Sequence, residues 1–254
     1  MTPYSARFYQ QQRDGSLRSA RRVLPHLVEL VSPRSVVDVG CGVGTWLKAA
    51  SELGIDDIVG LDGAYVDRSM LQISPARFVP ADLTRPFTVP RTFDAALSLE
   101  VAEHLPESSA RHFVESLVAL APVVLFSAAI PRQMGEDHVN EQWQSWWVER
   151  FAAAGYTAVD CMRRRVWDDP EVEWWYAQNM LLMVRRDHLD ASPVLLREHE
   201  RTNGPYSLVH PRAYLDRLAA ADLSRPRGAM EWLRLGPELI GGTLRRTLGR
   251  ADKN

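Results

Sequence analysis

Short unbroken apolar runs alternate with segments whose apolar residues recur every three or four positions, and this rhythm persists from Leu17 to Val184. Leu17, Ala20, Val23, Leu24, Leu27, Val28 and Val31 share one face of a predicted helix, which Ser32-Pro33 ends. Ser35–Val39 then reads as a buried strand, Thr45–Leu53 as a helix, and Ile58–Leu61 as a second strand closed by Asp62-Gly63. Arg77–Val79 is a short third strand and Phe93–Leu99 a fourth. Glu107–Leu120 predicts a helix, Val123–Ser127 a fifth strand, and Gln142–Ala154 a helix with Gly155 at its C-cap position. Thr157–Met162 reads as a sixth strand and Trp174–Val184 as a long final one. Strands and helices in this order predict an α/β fold with a mostly parallel sheet and helices on both faces.

The rhythm changes from Ala191 onward. One helix is expected at Pro211–Ala221 and another at Gly228–Leu235, before a flexible Gly/Arg-rich end, Gly241–Asn254. The expected division is a main domain over 1–190 and a helical accessory segment with a tail over 191–254, serving as lid, oligomer contact or neither. At 254 residues the chain is long enough to bury a substantial core. Its net charge of −2 advertises no overall basic surface, so nucleic acid is not an expected partner. No apolar run is long enough to span a bilayer, and Met1–Gly15 lacks the apolar core of a signal peptide. Two cysteines, Cys41 and Cys161, make no disulfide framework, and a reducing cytoplasm is the expectation. Lysine occurs only at 48 and 253, so arginine supplies nearly all the positive charge.

The chemistry concentrates where the first strand meets the first long turn. Val36-Val37-Asp38-Val39-Gly40-Cys41-Gly42-Val43-Gly44-Thr45 runs from strand through three alternate glycines into a helix start, so backbone can approach a ligand closely. The dinucleotide fingerprint places its third glycine one residue later. Asp38, just before the loop, is poorly placed for a pyrophosphate and well placed for a cation. This stretch resembles motif I of the class I S-adenosylmethionine-dependent methyltransferases, a likeness that extends over about residues 30–185. The resemblance implies a Rossmann-like, doubly wound, mostly parallel seven-stranded sheet with a helical C-terminal extension. It implies that Gly40, Gly42 and Gly44 wrap the methionine and ribose parts of S-adenosylmethionine while Asp38 holds the ammonium group. Asp62, about twenty residues past the loop, is where an acid meets ribose hydroxyls in nucleotide-binding α/β folds, and Gly63 follows it. In the resembled family Asp82 caps the adenine amino group and Leu83 contacts the ring, although Asp82-Leu83-Thr84-Arg85-Pro86 also reads as a surface turn. The segment Tyr4–Tyr9 is expected to fold over the cofactor as a lid or to pack on the core.

After the fourth strand, Glu100, Glu103 and His104 fall at i, i+3 and i+4, on one face if the segment is a helical turn. With His138 they form a candidate site for Mg2+ or another divalent metal. The Glu-x-x-Glu-His spacing resembles the ubiquinone-pathway O-methyltransferases and the small-RNA 3′-end 2′-O-methyltransferases, the latter adding a later histidine. It also occurs in metal-free relatives, where Glu100 lies near the cofactor and His104 caps or packs. His138 is the candidate catalytic base or a metal ligand, and one nitrogen cannot serve as both. The remaining histidines, His26, His112, His188, His199 and His210, are assigned no role.

Trp143, Trp146, Trp147, Trp167, Trp174, Trp175 and Tyr176 offer aromatic faces for a sugar ring, or simply core. The Arg-rich composition and the two acid–histidine segments resemble actinobacterial sugar methyltransferases, including the mycobacterial methylmannose polysaccharide type. The expected activity is therefore O-methylation of a carbohydrate or glycosylated metabolite, assisted by a divalent metal and a histidine. A phenol or quinone-precursor acceptor, an RNA 3′-end, and a cofactor-binding interaction protein without turnover are the alternatives. The partner is a small-molecule or oligosaccharide substrate rather than a membrane, with a homodimer left open.

Overall fold

The computed structural model describes residues 6–202 and 204–221. The expected helix at Gly228–Leu235, the tail from Gly241 and the first residues of the expected lid lie outside them. The chain divides into two compact units, Met1–Ala213 and Tyr214–Asn254. Helix α1 (Ala6–Val31) leads into β1 (Ser35–Val39), α2 (Thr45–Glu52), β2 (Asp57–Asp62), β3 (Phe78–Pro80) and β4 (Ala95–Leu99). Next come α3 (Ala110–Leu120), β5 (Val123–Ser127), α4 (Gln144–Ala153) and β6 (Tyr156–Val159). The order closes with α5 (Met162–Val166), α6 (Trp174–Asn179), β7 (Leu181–Arg185), α7 (Arg186–Ala191), α8 (Pro193–Arg201) and α9 (Pro211–Ala221).

The seven strands form one sheet in the order β3-β2-β1-β4-β5-β7-β6, so the expected doubly wound sheet is present. Five adjacent strands from β3 to β5 pair in parallel, while β7 runs antiparallel to both β5 and β6. Strand residues alternate between two cores. Val36, Ala95, Leu97 and Leu125 pack with α1, α2, α5 and α6 on one face, and α7 and α8 add Leu189 and Leu195. Val37, Val39, Ala96 and Val124 pack with Phe113 and Leu117 of α3 and with Trp147 and Phe151 of α4 on the other. Burial on both faces explains why β1, β4 and β5 are continuous apolar runs broken only by a few polar positions.

Three boundaries differ from expectation for physical reasons. Trp174–Val184 is not one strand: Trp174–Asn179 is helical and only Leu181–Arg185 joins the sheet. The strand preference of aromatic residues is contextual and yields to side-chain packing. Here the Tyr176 ring packs edge-on against Trp46 at 5.1 Å and its hydroxyl reaches Ser16 at 3.1 Å, contacts that a helical turn satisfies. The sixth strand stops at Val159, and Met162 belongs to α5 because Arg163 turns inward to pair with buried Asp160. The segment after β4 is not a continuous helical turn: Glu100 has a left-handed φ of 55°, and only Ala102–His104 forms a short 3₁₀ turn.

Phe151 is fully buried between Phe126 and Tyr156, with ring centroids at 5.1 and 6.3 Å. Phe151→Ala should lower unfolding free energy by about 3–5 kcal/mol in urea melts. Val194→Ala, on an exposed face of α8, should stay within about 0.5 kcal/mol.

Candidate functional site

The site is built at the carboxyl ends of the parallel strands. Asp38 of β1 is buried, and its pKa is pushed up to about 8, first by loss of water and then by the charge of Asp62. The turn that follows is docked onto the end of β2: the amides of Gly40 and Cys41 both donate to the Leu61 carbonyl at 2.8 and 3.1 Å. Gly40 lies so close to Val101 that an added Cβ would stand 2.3 Å from a valine methyl. At Gly42 the reverse holds: φ is +52° and an added Cβ would meet nothing within 4 Å. Backbone thus faces open space beside two buried acids, with no side chain to obstruct a ligand. That arrangement fits a bulky cationic nucleoside better than a phosphate, which two adjacent carboxylates would repel.

Asp62 at the end of β2 accepts from the amide of Gly42 (2.7 Å) through Oδ2, and from the amide of Gly63 (2.6 Å) and the hydroxyl of Tyr65 (2.7 Å) through Oδ1. Burial raises its pKa, against the lowering effect of those three donors. Asp82 is exposed. Its carboxylate accepts from the amide and hydroxyl of Thr84 at 3.0 and 2.6 Å and pairs with Arg85 at 3.4 Å, the surface-turn arrangement. Leu83 is buried in the core shared with α3 and α4.

Glu100 and Glu103 lie close enough for their carboxyl groups to interact, yet they meet different neighbours. The left-handed backbone at Glu100 is held by its amide, which donates to the carbonyl and hydroxyl oxygens of Ser127 at 3.0 and 3.1 Å. This conformation turns the Glu100 carboxylate into a set of amides, Gln133 Nε2 at 2.8 Å and Asn179 Nδ2 at 3.1 Å. Gln178 extends the set, donating to Gln133 Oε1 at 3.0 Å and accepting from the amide of His210 at 2.8 Å. Glu103 is wholly buried, and neither carboxyl oxygen makes a well-formed hydrogen bond; the amides of Glu103 and Ala129 and the Glu100 carboxyl are its nearest polar neighbours. Burial, and then the charge of Glu100, pushes its pKa well above the ordinary carboxylate range.

His138 reaches this place because the loop after β5 is stitched to the Glu103 turn. The amides of Val139 and Asn140 both donate to the Glu103 carbonyl, at 2.9 and 3.0 Å. Glu141 gathers the same loop by accepting from the amides of Arg132 (2.6 Å) and Met134 (2.8 Å) and from His138 Nδ1 (3.0 Å). In a neutral imidazole a carboxylate partner favours the tautomer with the proton on Nδ1 and the lone pair on Nε2. The His104 and His138 rings meet edge to face at 4.8 Å. Burial and the neighbouring His138 lower the His104 pKa to about 4, so its imidazole is neutral near pH 7. Glu103, His104 and His138 bring potential ligand atoms within 4.8 Å of one another. Glu100 is not part of that group, because its backbone turn sends the carboxylate to Gln133 and Asn179 instead. The cluster fits a divalent cation on its chemistry: one buried carboxylate without a partner and two imidazoles.

The aromatic residues separate by burial. Trp147 and Tyr176 are core, whereas Trp143 is 43% exposed; Trp146, Trp167, Trp174 and Trp175 are half-buried. Gln133, Gln178, Asn179, Glu141 and Tyr65 were not legible as site residues. Their side chains become meaningful only through tertiary neighbours far off in the chain.

The family described as a methyltransferase domain matches residues 9–179. A curated relative, ribosomal RNA large subunit methyltransferase E of Caulobacter sp. (strain K31), is 39% identical over 59 residues, 23% of this chain and 24% of that protein. The likeness to that relative therefore spans about a quarter of its length. Among solved structures, the sugar N-methyltransferase KedS8 from Streptoalloteichus sp. ATCC 53650 superposes with a TM-score of 0.53 at 15% identity, covering 73% of this chain and 94% of its own. S-adenosylmethionine-bound CalS10, an amino pentose methyltransferase from Micromonospora echinaspora, gives 0.53 at 16%, covering 73% and 99%. The glycine turn with its buried acids, the seven-stranded order and a family match across most of the chain agree: this protein belongs to the methyltransferase-domain family and has the class I methyltransferase fold.

Proposed function

We propose that the chain is an S-adenosylmethionine-dependent O-methyltransferase acting on a hydroxyl of a carbohydrate or glycosylated metabolite. The donor, when bound, supplies an electrophilic methyl group. Asp38 would hold its ammonium group, Asp62 its ribose hydroxyls, and the Gly40–Gly44 backbone its flank. Two proteins of the same fold, KedS8 and CalS10, are methyltransferases of a sugar and of an amino pentose, which supports a sugar as acceptor. The observation that carries the choice of oxygen is the buried, unpartnered Glu103 carboxylate beside two histidines. An amine brings its own lone pair to the methyl group, whereas a hydroxyl must lose a proton. Glu103, His104 and His138 would hold a divalent cation, which lowers the pKa of a hydroxyl it contacts. His138 Nε2 has one lone pair, to be spent on the metal or on the proton. N-methylation of an amino sugar is the second reading, favoured by the likeness to KedS8, a sugar N-methyltransferase.

Donor binding should carry a pH signature. Asp38 is protonated below about 8, and a cationic amino group favours its carboxylate, so binding below that pH must expel a proton. In calorimetric titrations S-adenosylhomocysteine should bind up to about tenfold more tightly per pH unit as pH rises toward 8, then level off. Asp38→Asn should flatten this slope and weaken binding by about tenfold or more. Methyl transfer to a panel of neutral and amino sugars should be lost with chelator and restored by Mg2+ or Mn2+, and only hydroxyls should be methylated. The double variant Glu103→Ala plus His138→Ala should lose metal-dependent turnover while keeping donor affinity within about threefold. Full activity of that variant in chelator would remove the metal, and methylamine products would transfer the reading to nitrogen.

A further inference from the structure

Tyr65 lies just past β2 and is 64% exposed, yet its hydroxyl is seated on Asp62 Oδ1 at 2.7 Å. The ring lies over Gly63: a Cβ added there would stand 2.0 Å from Tyr65 Cε1. The absence of a side chain at Gly63 is thus what gives the ring its place. Asp62 is also engaged by the amides of Gly42 and Gly63, at 2.7 and 2.6 Å. A carboxylate offers about four lone-pair positions. With three of them filled, one remains, and a cis-diol donates two hydrogen bonds. The two amides belong to the backbone of the turn and of the strand end and cannot leave without unfolding it. The tyrosine is on the surface and can swing away by side-chain rotation.

We infer that Tyr65 is a gate on the donor pocket: its hydroxyl occupies a ribose-hydroxyl position on Asp62 and must be displaced before the diol binds. The inference rests on Asp62 being the ribose acid. It assigns a role to a residue outside the glycine turn and the acid–histidine cluster. The gate keeps a buried carboxylate satisfied in the free protein, at the expense of donor affinity. Displacement breaks the bond from the Tyr65 hydroxyl to Asp62, so the gate weakens donor binding by at least the worth of that bond.

The test is calorimetric titration of the full chain at fixed pH with S-adenosylhomocysteine and with its 2′,3′-dideoxy analogue. Tyr65→Phe keeps the ring and removes the hydroxyl. It should bind S-adenosylhomocysteine about threefold to tenfold more tightly than the parent, the range for one net hydrogen bond. The dideoxy analogue, which has no diol to seat, should bind both proteins equally. Binding of S-adenosylhomocysteine to Tyr65→Phe that equals or falls below the parent overturns the gate and leaves the donor reading standing. No binding to the parent overturns the donor reading and the gate with it.

Discussion

Three carboxylates, Asp38, Asp62 and Glu103, are buried and a fourth, Glu100, is half-buried at the carboxyl ends of β1, β2 and β4, and no described lysine or arginine forms an ion pair with any of them. Asp38, Asp62, Glu100 and Glu103 each have a pKa raised chiefly by loss of water. A buried anion without a counter-charge is among the most costly groups a fold can hold. The remainder of the site is arranged around that constraint. Backbone amides and Tyr65 satisfy Asp62, side-chain amides satisfy Glu100, and Asp38 and Glu103 are left for something positive to satisfy. The chain is not short of arginine, yet its arginines are spent elsewhere: Arg18, Arg21 and Arg22 of α1 pair with Glu173, Glu52 and Asp169. No described arginine or lysine thus offsets the carboxylates of the pocket.

The two glutamates after β4 show how backbone geometry can divide the labour of similar side chains. A regular helical turn would have put Glu100, Glu103 and His104 on one face. The left-handed residue at Glu100, a conformation that costs about 1–2 kcal/mol for a side chain with a Cβ, breaks that face. It sends one carboxylate toward Gln133 and Asn179 and leaves the other beside two histidines. The amides hold Glu100 as an acceptor through ordinary hydrogen bonds. Glu103 has no such donors. Strain at one residue therefore creates two environments from one acidic segment.

The strands, their order of appearance and the glycine turn were readable because they depend on local pattern: apolar runs buried on both faces, and glycines where backbone must bend or come close. The positions of Asp38, next to last in β1, and Asp62, last in β2, were readable because sheet topology fixes where the carboxyl ends of the strands lie. The helix at Trp174–Asn179 was hidden, since three aromatic residues in a row carry strand propensity, and only the packing of Tyr176 on Trp46 and Ser16 favours the helix. That misreading also concealed Asn179. The approach of His138 to His104 was suggested by resemblance, but its cause was invisible in the pattern. Two backbone amides on the Glu103 carbonyl, with Glu141 as clasp, are tertiary facts about a loop with no periodicity.

Buried acids also couple folding to ligand charge. A carboxyl whose folded pKa exceeds its unfolded value binds a proton more tightly in the folded state. Its contribution to stability is fully present below the ordinary carboxylate range and is lost as pH rises through the folded value, about 8 for Asp38. Protons thus act as the counter-charge while the pocket has no other cation. A cation that enters must expel them, and the polar cradle it enters has already been assembled by the sheet. The same desolvation that opposes a charged pocket in the free protein strengthens the pocket's attraction for a positive ligand, since both effects scale with the exclusion of water. On the proposed donor reading, selectivity for a cation over an anionic nucleotide would follow from the carboxylates themselves, and the glycines would set only how closely the donor approaches.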